Sequence, residues 1–134
     1  MFNGLLITVG TYNIPLKYMK AETYKAPLNV QDLDTYTDAN GVLHRNALDH
    51  VPVKVEFETM PLNNTQLEDL FSNIKANYTV QKERKATCIV YAPEIDDYVN
   101  QDMYMVQPEP LIDWIDLKTN TIYYKPFRLA FVGY

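Results

Sequence analysis

The sequence predicts a mainly β protein with one α-helix, and three observations carry that prediction. Val51–Glu58 alternates apolar and charged residues almost without error, the period of a strand with one face in a core and the other in water. Eleven Tyr against four Gly and a single Ser suit a pleated, half-buried surface and also favour protein contacts. Only one segment, beginning near Thr65, repeats apolar residues at three- and four-residue steps. The economical architecture for about seven to nine strands and one helix is a β-sandwich or partly closed barrel with a flanking helix and a long β-hairpin arm.

In chain order, Leu5–Val9 reads as a short apolar strand, Gly10-Thr11 as a turn, and Tyr12–Ile14 as a return strand stopped by Pro15. Lys17–Val30 is more polar and extended, with Pro27 placing it at an edge because proline gives no ladder donor. Asp32–Arg45 is a polar, turn-rich connection whose Asn40-Gly41 pair is the strongest short turn signal in the chain, since both residues accept positive φ. It forms the tip of an arm spanning about residues 18–58, followed by a long strand over Val42–Thr59 in which Pro52 marks an edge or bend. Thr65-Gln66-Leu67-Glu68 has the capping-box pattern, and Leu67, Leu70, Phe71, Ile74 and Tyr78 make one apolar stripe for a sheet to cover.

After the helix come short strands at Thr79–Lys82 and Ala86–Ala92, an acidic loop at Pro93–Gln101, and a strand at Asp102–Gln107. Leu111–Leu117 reads as a strand because Lys118–Thr121 makes a hairpin turn. The final segment, Ile122–Val132, places Tyr123, Phe127, Leu129 and Phe131 on one face and is expected as a central strand. No repeat or composition shift divides the chain, so residues 1–134 are expected as one domain.

Net charge of −5 and a pI near 4.9 argue against gripping nucleic acid. The N-terminus has neither a basic start nor an apolar run of signal-peptide length, and no stretch is long enough to cross a bilayer, so synthesis in a cytoplasm without export is the expectation. Cys88 stands alone in an apolar strand, which gives it the role of a small buried hydrophobe.

A nucleophile needs a base beside it, and neither Ser72, within the helix, nor Cys88 carries a supporting motif. His44 and His50 sit roughly 20 Å apart on an extended segment, too far to share a metal. Asp32, Asp34, Asp38 and Asn40 imitate the first half of an EF-hand loop, but Thr37 stands where glycine is required and Leu43 where a bidentate Glu is required. Glu94, Asp96, Asp97 and Asp102 make a second acidic set, and both sets read as solvated turns. The expectation is therefore no catalytic residue, no cofactor and no metal: not an enzyme.

Ile14-Pro15 with Tyr18 and Lys20, the run Ala39–Arg45, Lys54-Val55-Glu56, the single helix, Met103–Val106 and the closing Tyr124–Leu129 segment together resemble a family of small tail proteins of tailed bacteriophages and prophages of Gram-positive hosts. The resemblance implies a tail-tube-like or distal-tail-like fold of two packed sheets, a flanking helix and a hairpin reaching the next subunit. It implies a virion structural protein, at the tube, distal-tail or completion level, forming a ring with copies of itself, often sixfold, beside other tail proteins. DNA would pass through without specific binding, and acidic side chains of the Pro93–Gln101 loop would face the lumen. On this reading Tyr36, Asn40, Gly41, Leu43 and Arg45 are subunit contacts. The alternative is a small β-sandwich module of a baseplate that binds carbohydrate or a receptor through Tyr residues and Trp114.

Overall fold

A computed structural model describes residues 1–28, 32–37, 39–41, 43–47 and 52–134, with backbone alone for 32–37 and 43–47. The strands are β1 (Ile7–Val9), β2 (Tyr12–Asn13), β3 (Asp32–Thr37), β4 (Leu43–Ala47), β5 (Lys54–Glu58), β6 (Leu62–Asn63), β7 (Lys85–Ala92), β8 (Asp97–Met105), β9 (Ile112–Asp116), β10 (Thr121–Tyr124) and β11 (Arg128–Gly133), and the helix α1 is Asn64–Ala76. They form a six-stranded sheet in the order β2-β1-β7-β8-β11-β5, a three-stranded sheet in the order β6-β10-β9, and the two-stranded sheet β3-β4. The fold is thus the expected mainly β, two-layered body with a flanking helix, and its main sheet stays open rather than closing into a barrel.

Period-two patterning places the core. Ala86, Cys88 and Val90 of β7, Val55 and Phe57 of β5, and Leu129 and Phe131 of β11 all point to one face of the main sheet and are buried. Leu70 and Ile74 of α1, Leu62 of β6 and Tyr18, Met19 and Ile14 cover that face. Leu67, Phe71 and Tyr78 complete the helical stripe at its half-buried margin.

Several segments depart from the expected layout for identifiable reasons. The single strand expected over Val42–Thr59 is two, because Pro52 precedes β5 and the chain changes sheets between β4 and β5. The single strand expected over Ile122–Val132 also breaks: β10 belongs to the small sheet and β11 to the main one, with Pro126 between them. Thr59 fixes that switch, its buried hydroxyl accepting from the Phe127 N–H at 3.2 Å while its own N–H donates to the Phe127 carbonyl at 2.9 Å. β11 is nonetheless central, lying between β8 and β5.

The cap of α1 is Asn63 rather than Thr65. The Asn63 side chain accepts from Gln66 N at 2.8 Å, and the Gln66 side chain accepts from Asn63 N at 3.1 Å. Both frames satisfy the motif, but Asn is among the best N-cap residues, and the earlier frame sets the buried Leu62 just outside the helix. Thr79–Lys82 is part of a tight turn, not a strand, closed by a single bridge between Val80 and Lys85. The acidic loop expected at Pro93–Gln101 shrinks to the Pro93–Asp96 turn, because β8 begins at Asp97.

Lys17–Val30 is not a continuous strand either. Two short turns, at Leu16–Tyr18 and Ala21–Thr23, break it, yet it does run beside β5. Lys25 and Glu56 exchange both backbone hydrogen bonds at 2.9 Å, Lys20 N donates to Glu58 O at 2.9 Å, and the Thr23 hydroxyl accepts from Glu58 N at 2.8 Å. The open side of β5 is thereby covered by a strap, as edge protection requires. Among the described residues the last pairing of the strap is Leu28 with Val53. Val53 is also gripped from the opposite side: Gly133 N donates to its carbonyl at 2.9 Å, and Gln101 Oε1 accepts from its N–H at 3.1 Å.

Candidate functional site

Three surfaces stand out: an arm, a ribbon and a groove. The arm is the β3–β4 hairpin, paired antiparallel through Thr35–Arg45, Tyr36–His44 and Thr37–Leu43. Asn40 and Gly41 lie in its turn, exposed, with Gly41 at φ +81°, a conformation that favours glycine. Neither strand belongs to the other two sheets. Of the five residues expected to make subunit contacts, Asn40 and Gly41 are at the tip and Tyr36, Leu43 and Arg45 on the paired strands. The side chains of Tyr36, Leu43 and Arg45 lie outside the described residues, as do His44, His50 and the acidic groups of the EF-hand-like stretch.

The ribbon is the β9–β10 hairpin, which sequence reading placed correctly as strand, turn and strand and of which it singled out only Trp114, as a contact of the carbohydrate- or receptor-binding alternative. Its register sets Ile115 opposite Ile122 and Trp114 opposite Tyr123, so adjacent pairs face opposite sides of the ribbon. The Trp114 and Tyr123 rings stack at 4.3 Å with 9° between their planes. Leu111, Ile112, Trp114, Ile115 and Leu117 are 64%, 51%, 52%, 50% and 82% exposed. Its outer strand β9 is an edge of the small sheet and the ribbon bears large apolar side chains on both faces, which is the mark of a contact surface. The sequence signal was present in Ile112–Asp116, where two acids interrupt apolar residues without a clean two-residue period.

The groove, about 440 Å³, lies between the second half of α1 and the end of β8. Phe71, Tyr78 and Met105 give it an apolar floor, with the Tyr78 hydroxyl 3.9 Å from Met105 Sδ. Lys75 and Arg84 make its rim cationic. Arg84 sits in the left-handed region at φ 54°, held by its N–H to Gln81 O at 3.2 Å and by its carbonyl accepting from Met105 N at 3.1 Å. Its Nη1 is shielded from solvent and meets no acceptor among the described residues.

The remaining chemistry is structural. Burial pushes the Cys88 thiol up to about 12, which holds it as a neutral thiol, the unreactive form. Burial, and then Asp69, raise the Tyr12 phenol to about 12. Among the described residues no three His, Cys, Asp or Glu side chains gather where a metal ion could be held. The acids of the β7–β8 turn are engaged locally: Asp96 Oδ1 accepts from the Tyr91 hydroxyl at 2.6 Å and Asp97 Oδ1 from Tyr98 N at 2.8 Å. No described helix is long and apolar enough to cross a membrane.

These features define a class: a small two-sheet β protein with one flanking helix, whose distinctive parts are a separate two-stranded hairpin and an apolar ribbon. A solved chain from the "Virion of native gene transfer agent (GTA) particle" is similar in fold, with a TM-score of 0.56 and 13% identity over 100% of this chain and 95% of that one. The chain belongs to DUF6711, a family of unknown function whose model matches residues 1–134. A search of curated proteins gives no match.

Proposed function

We propose that this protein is a structural component of a phage-like virion, placed in the tail as a tube, distal-tail or completion protein, that joins copies of itself into a ring around the DNA channel. The observation that carries the reading is the arm: a two-stranded sheet separate from the main sheet. Such an element contributes little to its own body and presents strand edges to a neighbour. The fold shared with a chain of a gene transfer agent virion supports the reading, as does the resemblance to tail proteins of phages of Gram-positive hosts. Net charge of −5 suits a wall that lets DNA slide past. The protein acts by assembly, without covalent chemistry.

The test is mass photometry of the purified chain across concentrations. Ring-sized particles are expected from the wild type, and deletion of Leu33 to Gly41 is expected to leave a folded monomer that no longer forms them. A wild type that stays monomeric, or a deletion variant that assembles normally, overturns the reading. The Trp114–Tyr123 stack favours a second reading, a module that seats a sugar ring on an exposed aromatic face. Glycan binding by a stable monomer would replace the first reading with that one.

A further inference from the structure

We propose that the β9–β10 ribbon of one copy of this chain seats in the Phe71–Arg84 groove of a second copy, with a β9 carboxylate meeting the Arg84 guanidinium. This rests on the self-assembling reading above and names a contact that the arm does not make.

The groove's lining holds two cations and no acid, in a chain whose net charge is −5. Arg84 Nη1 is buried without an acceptor among the described residues. Arg84 as a whole is only half-buried, and a carboxylate is the partner that makes the strongest hydrogen bond to the accessible part of its guanidinium. β9 has the complementary character: Asp113 and Asp116 are its charged residues, and no cation lies between Ile112 and Asp116. The apolar parts match as well. The ribbon's exposed Trp114 needs cover, and an aromatic floor with the adaptable Met105 supplies it.

The ribbon of the same molecule is not the occupant. Its Tyr124 already lies beside Leu67, Phe71 and Ser72 of α1, its Asp116 carboxylate accepts from Lys118 N at 3.0 Å, and Arg84 Nη1 stays unpaired with that ribbon in place. A second copy supplies a carboxylate and covers both surfaces at once.

The test uses two full-length variants, Lys75→Cys on the groove rim and Ile115→Cys on the ribbon. Both positions are exposed, and the native Cys88 is fully buried. Mixed under mild oxidation, they are expected to give a covalent adduct several-fold more abundant than either variant gives alone. Trp114→Ala, at a position too exposed to hold the fold, is expected to weaken self-association about tenfold, as loss of an interfacial aromatic anchor does. Arg84→Gln is expected to weaken it in the same direction. If the wild type forms rings while the mixture gives no extra adduct and Trp114→Ala assembles normally, this contact is wrong and the assembly reading stands. If the wild type is monomeric at every concentration, both fall. Loss of glycan binding by Trp114→Ala, with self-association unchanged, also overturns the contact.

Discussion

Individual residues hold the fold at points where the chain changes direction. Asn63 caps α1, so Asn63→Ala should lower stability by about 1 kcal/mol, whereas Thr65→Ala, one turn position too late to cap, should change it by only a few tenths. Urea denaturation of the two variants checks the assignment. Thr59 is the buried polar link at the switch from β10 to β11; Thr59→Val keeps the shape but strands the Phe127 N–H, and should cost about 1–3 kcal/mol in the same assay. Gly10 is fixed twice over, by φ +61° and by Asn77, whose side chain a Cβ would overlap and whose Oδ1 accepts from Thr11 N at 3.0 Å. At this scale the sequence was partly readable. The strand-forming alternation of Val53, Val55 and Phe57 told which side chains are buried. The helix cap was read two residues late, since Asn63–Gln66 and Thr65–Glu68 spell the same motif. Arg84 gave no signal at all, because its place in the groove depends on a left-handed backbone turn that brings it beside Met105.

Among the elements, strands with one clean buried face were legible and segments divided between sheets were not. β7 and β11 carry regular apolar positions and lie where their pattern implies, inside the main sheet. Val42–Thr59 and Ile122–Val132 each kept a strand-like composition across a proline, so periodicity alone ran through the breaks at Pro52 and Pro126. The ribbon shows the converse: Ile112–Asp116 was read as a strand, but its exposure follows from tertiary placement that a local pattern does not encode. A prediction belongs to this scale. Replacing Ile112 and Ile115 together by Thr keeps β propensity while removing exposed apolar surface. The unfolding free energy should change little, within about 1 kcal/mol, while self-association falls. Paired calorimetry and sedimentation measure the two effects separately.

For the whole molecule, the shielded acids of high pKa set the response to alkali. The Cys88 thiol is raised from 9.0 to about 12 by burial and the Tyr12 phenol from 10.0 to about 12, so the folded protein keeps protons that the unfolded chain gives up. The sign follows. Stability from Cys88 is complete below pH 9 and falls as pH rises from 9 towards 12, by roughly 1 kcal/mol per pH unit at most. Urea midpoints at pH 8, 9.5 and 10.5 should fall in that order, and Cys88→Ala should flatten the decline.

Val53 immediately precedes the edge strand β5, yet it is held by more than that strand. It is hydrogen-bonded to Gly133 of a central strand and to Gln101 of the strand beside it. Load on the chain at Val53 is therefore shared between the edge strand β5 and its inner neighbours β11 and β8, so that β5 is not peeled away one bond at a time. Gly133→Val, whose added side chain would displace Gln101, should lower the force at which the chain unfolds in single-molecule pulling.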